Sequence, residues 1–173
     1  MEFGDRKTFA VVFELDENHS GAWLYGKFCY WINGVQVGDY ELGTSLRDVL
    51  LQMKWIVHDC GKRDGGILCA LDAQEVFSRL DARLYGENEP VAPDQSQLPH
   101  TPARFEITIP VDVFDQWKAF LIECGNDARI LFKSIDAAVV KVATIPIGIF
   151  DDAITKAFHC LDKLYEAEAP PNT

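Results

Sequence analysis

Positive charge is scarce in this sequence. Its 173 residues include 16 lysines and arginines but 27 aspartates and glutamates, so the formal net charge at pH 7 is −11. Nucleic acids and anionic membrane surfaces are bound by clustered cations, and this balance therefore argues against both as partners. The acidic excess is spread along the whole chain. It serves solubility, or it speeds the encounter with a basic partner protein.

Long apolar runs are absent as well. No stretch reaches the roughly 18 apolar residues that cross a bilayer, and Met1–Lys7 carries charges where a secretory signal needs an apolar segment. We therefore expect a cytoplasmic protein. The cysteines are odd in number and show no C-x-x-C spacing, which predicts reduced thiols rather than a disulfide framework or a zinc ribbon. The five are Cys29, Cys60, Cys69, Cys124 and Cys160.

Signatures of catalysis are missing too. The sequence contains neither G-x-G-x-x-G nor G-x-S-x-G, and no His, Cys, Asp or Glu residues show a metal-ligand spacing. The stretch Gly61–Gly66 lacks the Lys-Ser/Thr ending of a phosphate loop, and His58 and Cys60 point apart on a predicted helix end. We predict no catalytic residue, no metal site and no cofactor. A small hydrolase with dispersed carboxylates and histidines remains the enzymatic alternative.

Apolar residues are plentiful, at 48% of the chain, and predict a packed core in one domain spanning residues 1–173. Near the start, Thr8–Asp16 alternates apolar and polar residues as a strand does, and Ala22–Ile32 continues as a second, aromatic-rich strand. The pair Asn33-Gly34 before Val35 predicts a tight hairpin, because both turn residues tolerate positive φ. The N-terminal region is therefore predicted to form a three-stranded meander.

Helical spacing follows. Ser45 or Thr44 is placed to cap a helix whose apolar positions run from Leu46 to Val57, and a second helix is predicted over Asp72–Tyr85. Residues 87–102 contain four of the eight prolines and predict an exposed surface loop.

The C-terminal half combines strands with a weak internal repeat. Arg104–Ile109 alternates as a strand does. Thr108–Asp115 is repeated 36 residues later as Thr144–Asp151 with five of eight positions identical, which predicts a duplicated corner where a strand meets Pro and a helix follows. The other predicted elements are helices over 114–124 and 150–161, strands over 128–133 and 138–145, and a frayed tail over 167–173. The predicted fold is α+β: a mainly antiparallel, twisted sheet packed by about four helices.

Large aromatic side chains occupy both faces of the second predicted strand. Trp23, Tyr25 and Trp31 share one face, and Phe28 and Tyr30 share the other. Such a strand belongs to a sheet covered on both sides, or it carries an aromatic anchor patch for a protein partner.

Several segments carry a family likeness, above all Gly21–Gly34 and Phe3-Gly4-Asp5. With them the chain resembles the bacterial immunity proteins of family forty-two. The further matching segments are Phe9-Ala10, Gly38–Tyr40, Thr44–Leu46, Phe114–Trp117 and Arg129–Leu131.

The resemblance implies neutralisation of a toxin domain from a polymorphic toxin system, delivered by contact-dependent or type VI-like routes, and it marks no catalytic residues. A small acidic domain without catalytic motifs is suited to stoichiometric inhibition of a basic toxin, such as a nuclease. A general adaptor protein is the other non-enzymatic alternative. As contact groups for the toxin we predict acids after the hairpin and in the Pro-rich loop: Asp39, Glu41, Glu87, Glu89 and Asp94.

Overall fold

The computed structural model describes residues 1–86 and 101–168, which form the predicted α+β fold with antiparallel strands in two separate sheets. The first sheet is N-terminal and follows the order β1-β2-β3-β4, with β5 pairing beside β3. Its strands are β1 (Glu2–Gly4), β2 (Phe9–Leu15), β3 (Tyr25–Ile32), β4 (Val35–Val37) and β5 (Thr44–Ser45).

The predicted meander is confirmed as the centre of this sheet. Strand β2 pairs with β3 along its whole length, and the hairpin to β4 turns at Asn33 and Gly34, whose φ angles are 48° and 77°. The second strand begins at Tyr25, three residues later than predicted, because Gly21–Trp23 forms a 3₁₀ turn. The edge strands β1 and β5 are too short to leave an alternating pattern in the sequence.

Three α-helices lie in the described part of the chain: α1 (Leu46–His58), α2 (Ala73–Tyr85) and α3 (Ile149–Glu168). Of the two predicted caps of α1, Ser45 is the one used, since its hydroxyl accepts from the Asp48 amide at 3.2 Å. Helix α2 is capped by Asp72, whose carboxylate accepts from the Glu75 amide at 2.9 Å. Residues 167 and 168 continue α3 rather than fraying. No helix within residues 1–86 and 101–168 is long and apolar enough to cross a membrane.

The second sheet corrects the predicted repeat. Its strands are β6 (Trp117–Cys124), β7 (Asp127–Ser134) and β8 (Lys141–Pro146), in that order. The helix predicted over 114–124 is wrong, and so is the duplicated corner, because only the second copy leads into a helix. Residues 119–122 are buried on both faces of β6, and a doubly buried strand cannot be distinguished from a buried helix by apolar spacing.

The strand predicted over Arg104–Ile109 is also wrong. Pro102–Phe105 forms a 3₁₀ turn, and only Glu106 makes an isolated bridge, to Phe120 of β6. Proline suits the first turn of a helix because it has no amide hydrogen to donate there, and this preference prevailed over the alternating pattern. Residues 87–100 of the predicted surface loop, and 169–173 of the predicted tail, lie outside the described residues.

Two apolar cores hold these elements together. The main core joins the first sheet, α1, α3 and one face of the second sheet, and the smaller core joins α2 to the opposite face of the second sheet. A disulfide links Cys69, before α2, to Cys124 at the end of β6. The prediction of reduced thiols is therefore wrong for this pair, which the fold brings together across 55 residues of sequence, whereas Cys29, Cys60 and Cys160 are free.

A buried arginine connects three of the elements. Arg63 is 0% exposed, and its guanidinium donates to the carbonyls of Ile56 at 2.7 Å and Arg104 at 2.8 Å. The same group contacts the Asp151 carboxylate of α3 at 3.4 Å, and this carboxylate accepts from the Gly61 amide at 2.9 Å. The glycine-containing segment after α1 therefore ends the helix and carries a cation into the interior.

Candidate partner-binding surface

A trough runs along the surface beside the segment 106–112. It consists of three depressions of about 700, 130 and 290 Å³, here called wide, middle and far. Pro110 lines all three, Gln52 lines the wide and middle ones, and Glu106 lines the middle and far ones. The three depressions therefore adjoin one another along the 106–112 segment, and the wide and middle ones lie between this segment and α1.

Exposed aromatic side chains distinguish the wide depression. Trp23 is 47% exposed and Tyr25 is 43% exposed, and their rings stack at 6.3 Å with an interplanar angle of 6°. Leu24, between them, is fully buried and has a φ of 52°. Burying Leu24 in a left-handed conformation turns both neighbouring rings outward. Trp23 and Tyr25 are therefore exposed, as an anchor patch requires, while Phe28 and Tyr30 belong to the core.

Backbone and side-chain hydrogen bonds fix this aromatic pair to α1. The Ser45 hydroxyl donates to the Trp23 carbonyl at 3.2 Å, and the Leu46 amide donates to the Leu24 carbonyl at 3.0 Å. The Arg47 guanidinium lies 3.6 Å from the centroid of the Trp23 ring. Exposed rings held in this way lose little conformational entropy when a partner binds.

Carboxylates surround the aromatic pair. Asp16, Asp48 and Asp112 line the wide depression, whereas none of its lining residues within the described chain is a lysine or an arginine. The middle depression adds Asp59 and Glu106 beside Trp55, which is 61% exposed. Asp48 pairs with Arg47 at 3.0 Å, and the other carboxylates add negative charge to concave surfaces that also contain exposed aromatic rings.

The far depression is electrostatically mixed. Lys118 pairs with Asp81 and lies 4.2 Å from the centroid of the Tyr85 ring. The Tyr85 hydroxyl donates to the Glu106 carboxylate, and burial raises the pKa of Tyr85 well above its usual range, with this hydrogen bond adding to the shift. The cation at this end is therefore already partnered by the chain itself.

Two of the predicted contact residues lie just outside the trough. The Asp39 carboxylate accepts from the amides of Glu41 at 3.2 Å and Leu42 at 3.3 Å, so it shapes the turn that brings Leu42 to the wide depression. Glu41 is exposed and pairs with Lys27 at 2.6 Å. The other three predicted contacts, Glu87, Glu89 and Asp94, lie outside the described residues.

The three aspartates of the wide depression were not predicted as contacts from the sequence. Asp16 follows β2, Asp48 lies in the first turn of α1, and Asp112 begins a 3₁₀ turn. Acids are common at such positions for local reasons, so their type and spacing give no separate signal of function. Within the described residues, no group of three His, Cys, Asp or Glu side chains is arranged to hold a metal ion.

Comparison with known protein families assigns the chain to a family. The model of Immunity protein 42 matches residues 1–159. The chain belongs to this family. The resemblance inferred from the sequence is confirmed, and the function of this immunity protein is to neutralise a toxin, which it binds as its cognate partner.

The fold of this immunity protein is shared with a solved structure. It is similar to the crystal structure of CdiI from Burkholderia dolosa AUO158, with a TM-score of 0.72 and 15% sequence identity, over 92% of this chain and 99% of that one. At this identity the likeness concerns the fold. Comparison with curated proteins gives no match.

Proposed function

We propose that this immunity protein neutralises its toxin in the cytoplasm by stoichiometric binding through the trough, without catalysis. The observation that carries the proposal is the wide depression, where two exposed, stacked aromatic rings are surrounded by three aspartates. Aromatic side chains dominate the binding energy of interfaces, and clustered charge of one sign selects a partner of the opposite sign.

The partner that this surface fits is a basic domain, and a nuclease is the proposed class. An enzyme that binds a polyanion presents cations around its active cleft. A row of carboxylates on the inhibitor can contact the same cations and exclude the nucleic acid. A standard protein–protein interface buries about 800 Å² on each partner, and an interface of this area would cover the trough together with its rim. We place Asp39 and Glu41 at that rim, and we propose Glu87, Glu89 and Asp94 as further contacts.

Charge reversal within the trough tests the proposal. Asp16→Lys with Asp112→Lys places two cations in the wide depression. The matched control, Asp127→Lys with Asp136→Lys, makes the same change in net charge at exposed positions that do not line the trough. Each protein is co-expressed with the toxin domain encoded beside it, and growth rescue and the dissociation constant are measured at two salt concentrations.

We expect the trough variant to lose rescue and to bind the toxin at least about 100-fold more weakly, since like charges across an interface are strongly unfavourable. The control is expected to rescue growth. An equal loss of toxin affinity in both variants would mean that the effect comes from net charge. Retained binding by the trough variant would mean that the toxin binds to another surface. Rescue at toxin concentrations far above those of the immunity protein would contradict stoichiometric inhibition.

A further inference from the structure

We propose that the wide depression anchors an arginine side chain of the toxin, stacked on Trp23 and Tyr25 and paired with the surrounding aspartates. This inference rests on the proposed function, because it names the group that the trough recognises. A planar guanidinium combines two properties that an ammonium lacks: it stacks flat on an aromatic ring, and it pairs with a carboxylate through two parallel N–H groups.

The molecule already holds one guanidinium in such an arrangement. The central carbon of the Arg47 guanidinium lies 3.6 Å from the Trp23 ring centroid, while its Nε and Nη2 donate to Asp48 at 3.1 and 3.0 Å. Arg47 is not among the residues that line the wide depression, whereas both rings of the stack are. Arg47 and Tyr25 both pack on the Trp23 ring, yet Trp23 stays 47% exposed and Tyr25 43% exposed. The exposed ring surfaces line the depression, with Asp16 and Asp112 on its walls.

The size and rigidity of the depression agree with an inserted side chain. A volume of about 700 Å³ lies within the range of pockets that enclose a ligand. It accommodates an arginine together with its neighbours on a loop or a helix end. The hydrogen bonds from Ser45 and Leu46 hold the 23–24 backbone in place before a partner arrives. This preorganisation favours a single geometry for the guanidinium.

Two peptides distinguish recognition of arginine from general attraction of cations to the acidic trough. Tetra-arginine amide and tetra-lysine amide carry the same side-chain charge, and each is titrated by calorimetry into the full-length protein. We expect the arginine peptide to bind about tenfold more tightly. Trp23→Leu should abolish this preference, whereas Trp31→Leu, which removes a partly exposed tryptophan that does not line the trough, should preserve it. Matching melting temperatures establish that both variants are folded.

Equal affinity for the two peptides, or an arginine preference that survives Trp23→Leu combined with Tyr25→Leu, would overturn the inference. With the toxin, Trp23→Leu should accelerate dissociation about 10- to 100-fold and leave the salt dependence of association unchanged, whereas loss of the aspartates should slow association. The two proposals therefore fail separately. A toxin that tolerates Asp16→Lys with Asp112→Lys contradicts binding through the trough, whereas absent arginine preference with intact trough binding contradicts the anchor alone.

Discussion

Two groups of charged side chains in this molecule differ in burial, and we infer that they differ in function as well. In the interior, Arg63 meets Asp151 near Glu123, and these three residues form what we call the buried node. On the surface, Asp16, Asp48 and Asp112 surround the aromatic pair of the wide depression. The buried node contains one cation and two acids, whereas the group that lines the wide depression contains acids alone.

The buried node is balanced within the chain. The Arg63 guanidinium is hydrogen-bonded to two carbonyls and one carboxylate that come from three separate elements. A charge removed from water is tolerated only when such partners are present. The aspartates of the wide depression remain in contact with water, and within residues 1–86 and 101–168 the one that pairs with an arginine is Asp48. Charge that the chain neutralises itself stabilises a fold, whereas charge left for another molecule to neutralise points to a binding surface.

The largest effect is expected from removing the cation of the buried node. Arg63→Met leaves two carbonyls without their donor and the Asp151 carboxylate without its cation, although the Gly61 amide still donates to this carboxylate. Breaking a buried pair in this way costs about 3–5 kcal/mol of the free energy of unfolding. Arg47→Met is the matched control, because Arg47 also pairs with an aspartate but lies at the surface, where the expected cost is at most about 1 kcal/mol. Urea denaturation measures both, and equal losses would contradict the distinction.

The disulfide is expected to matter next. The Cys69–Cys124 bond closes a separation of 55 residues and fastens the segment before α2 to β6, the strand that also carries Glu123. Replacing both cysteines by alanine should lower the free energy of unfolding by about 2–4 kcal/mol under oxidising conditions. Toxin affinity should be unchanged, because neither cysteine lines the trough. If adding a reductant left the melting temperature of the unmodified protein unchanged, this prediction would be contradicted.

The sequence predicted best what is determined locally. Helix α1 was predicted because a capping Ser45 or Thr44 lies directly before an apolar repeat, and α2 because its apolar residues recur at helical spacing. The β3–β4 hairpin was predicted because Asn33 and Gly34 specify its turn. The helix predicted over β6 failed since burial on both faces produces an apolar run without a strand period. Separating the two requires knowledge that a second core covers the other face of the strand.

The candidate site was beyond prediction for a related reason. Its aspartates come from positions 16, 48 and 112, and only the tertiary fold brings them to one depression. The aromatic half of the site left a sequence signal, because Trp23 precedes and Tyr25 begins a strand whose core-facing positions are filled by other residues. The disulfide likewise depends on tertiary proximity, which no local spacing of Cys69 or Cys124 indicates.

A smaller effect on the free energy of unfolding is expected from the titration of Glu123 in the buried node. Burial, and then the negative charge of Asp151, raises the pKa of Glu123 in the folded protein. A raised folded pKa stabilises the protonated form, so this contribution is complete below the unfolded pKa of about 4.3 and is lost as pH rises through the folded pKa.

Glu123→Gln removes this dependence. The variant should therefore match the unmodified protein in acid and be the more stable of the two at pH 7, as measured by urea denaturation at a series of pH values. Glu166→Gln, at an exposed position of α3, is the control and should leave the pH profile unchanged. A loss of stability at pH 7 in Glu123→Gln would mean that the carboxylate contributes to the buried node as an anion.

The smallest effect is expected at the rim of the trough. Glu41 is 77% exposed and its partner Lys27 is 32% exposed, so solvent screens the pair although their hydrogen bond raises the pKa of Lys27. Glu41→Gln should leave the midpoint of urea unfolding unchanged. Toxin association should slow by less than about threefold at low salt, with no difference at high salt, because a rim charge steers encounter rather than anchoring the complex. A shifted unfolding midpoint would mean that Glu41 stabilises the fold, as Arg63 does. A salt-independent loss of toxin affinity as large as that of Trp23→Leu would mean that the interface is centred on the turn after β4 rather than on the wide depression.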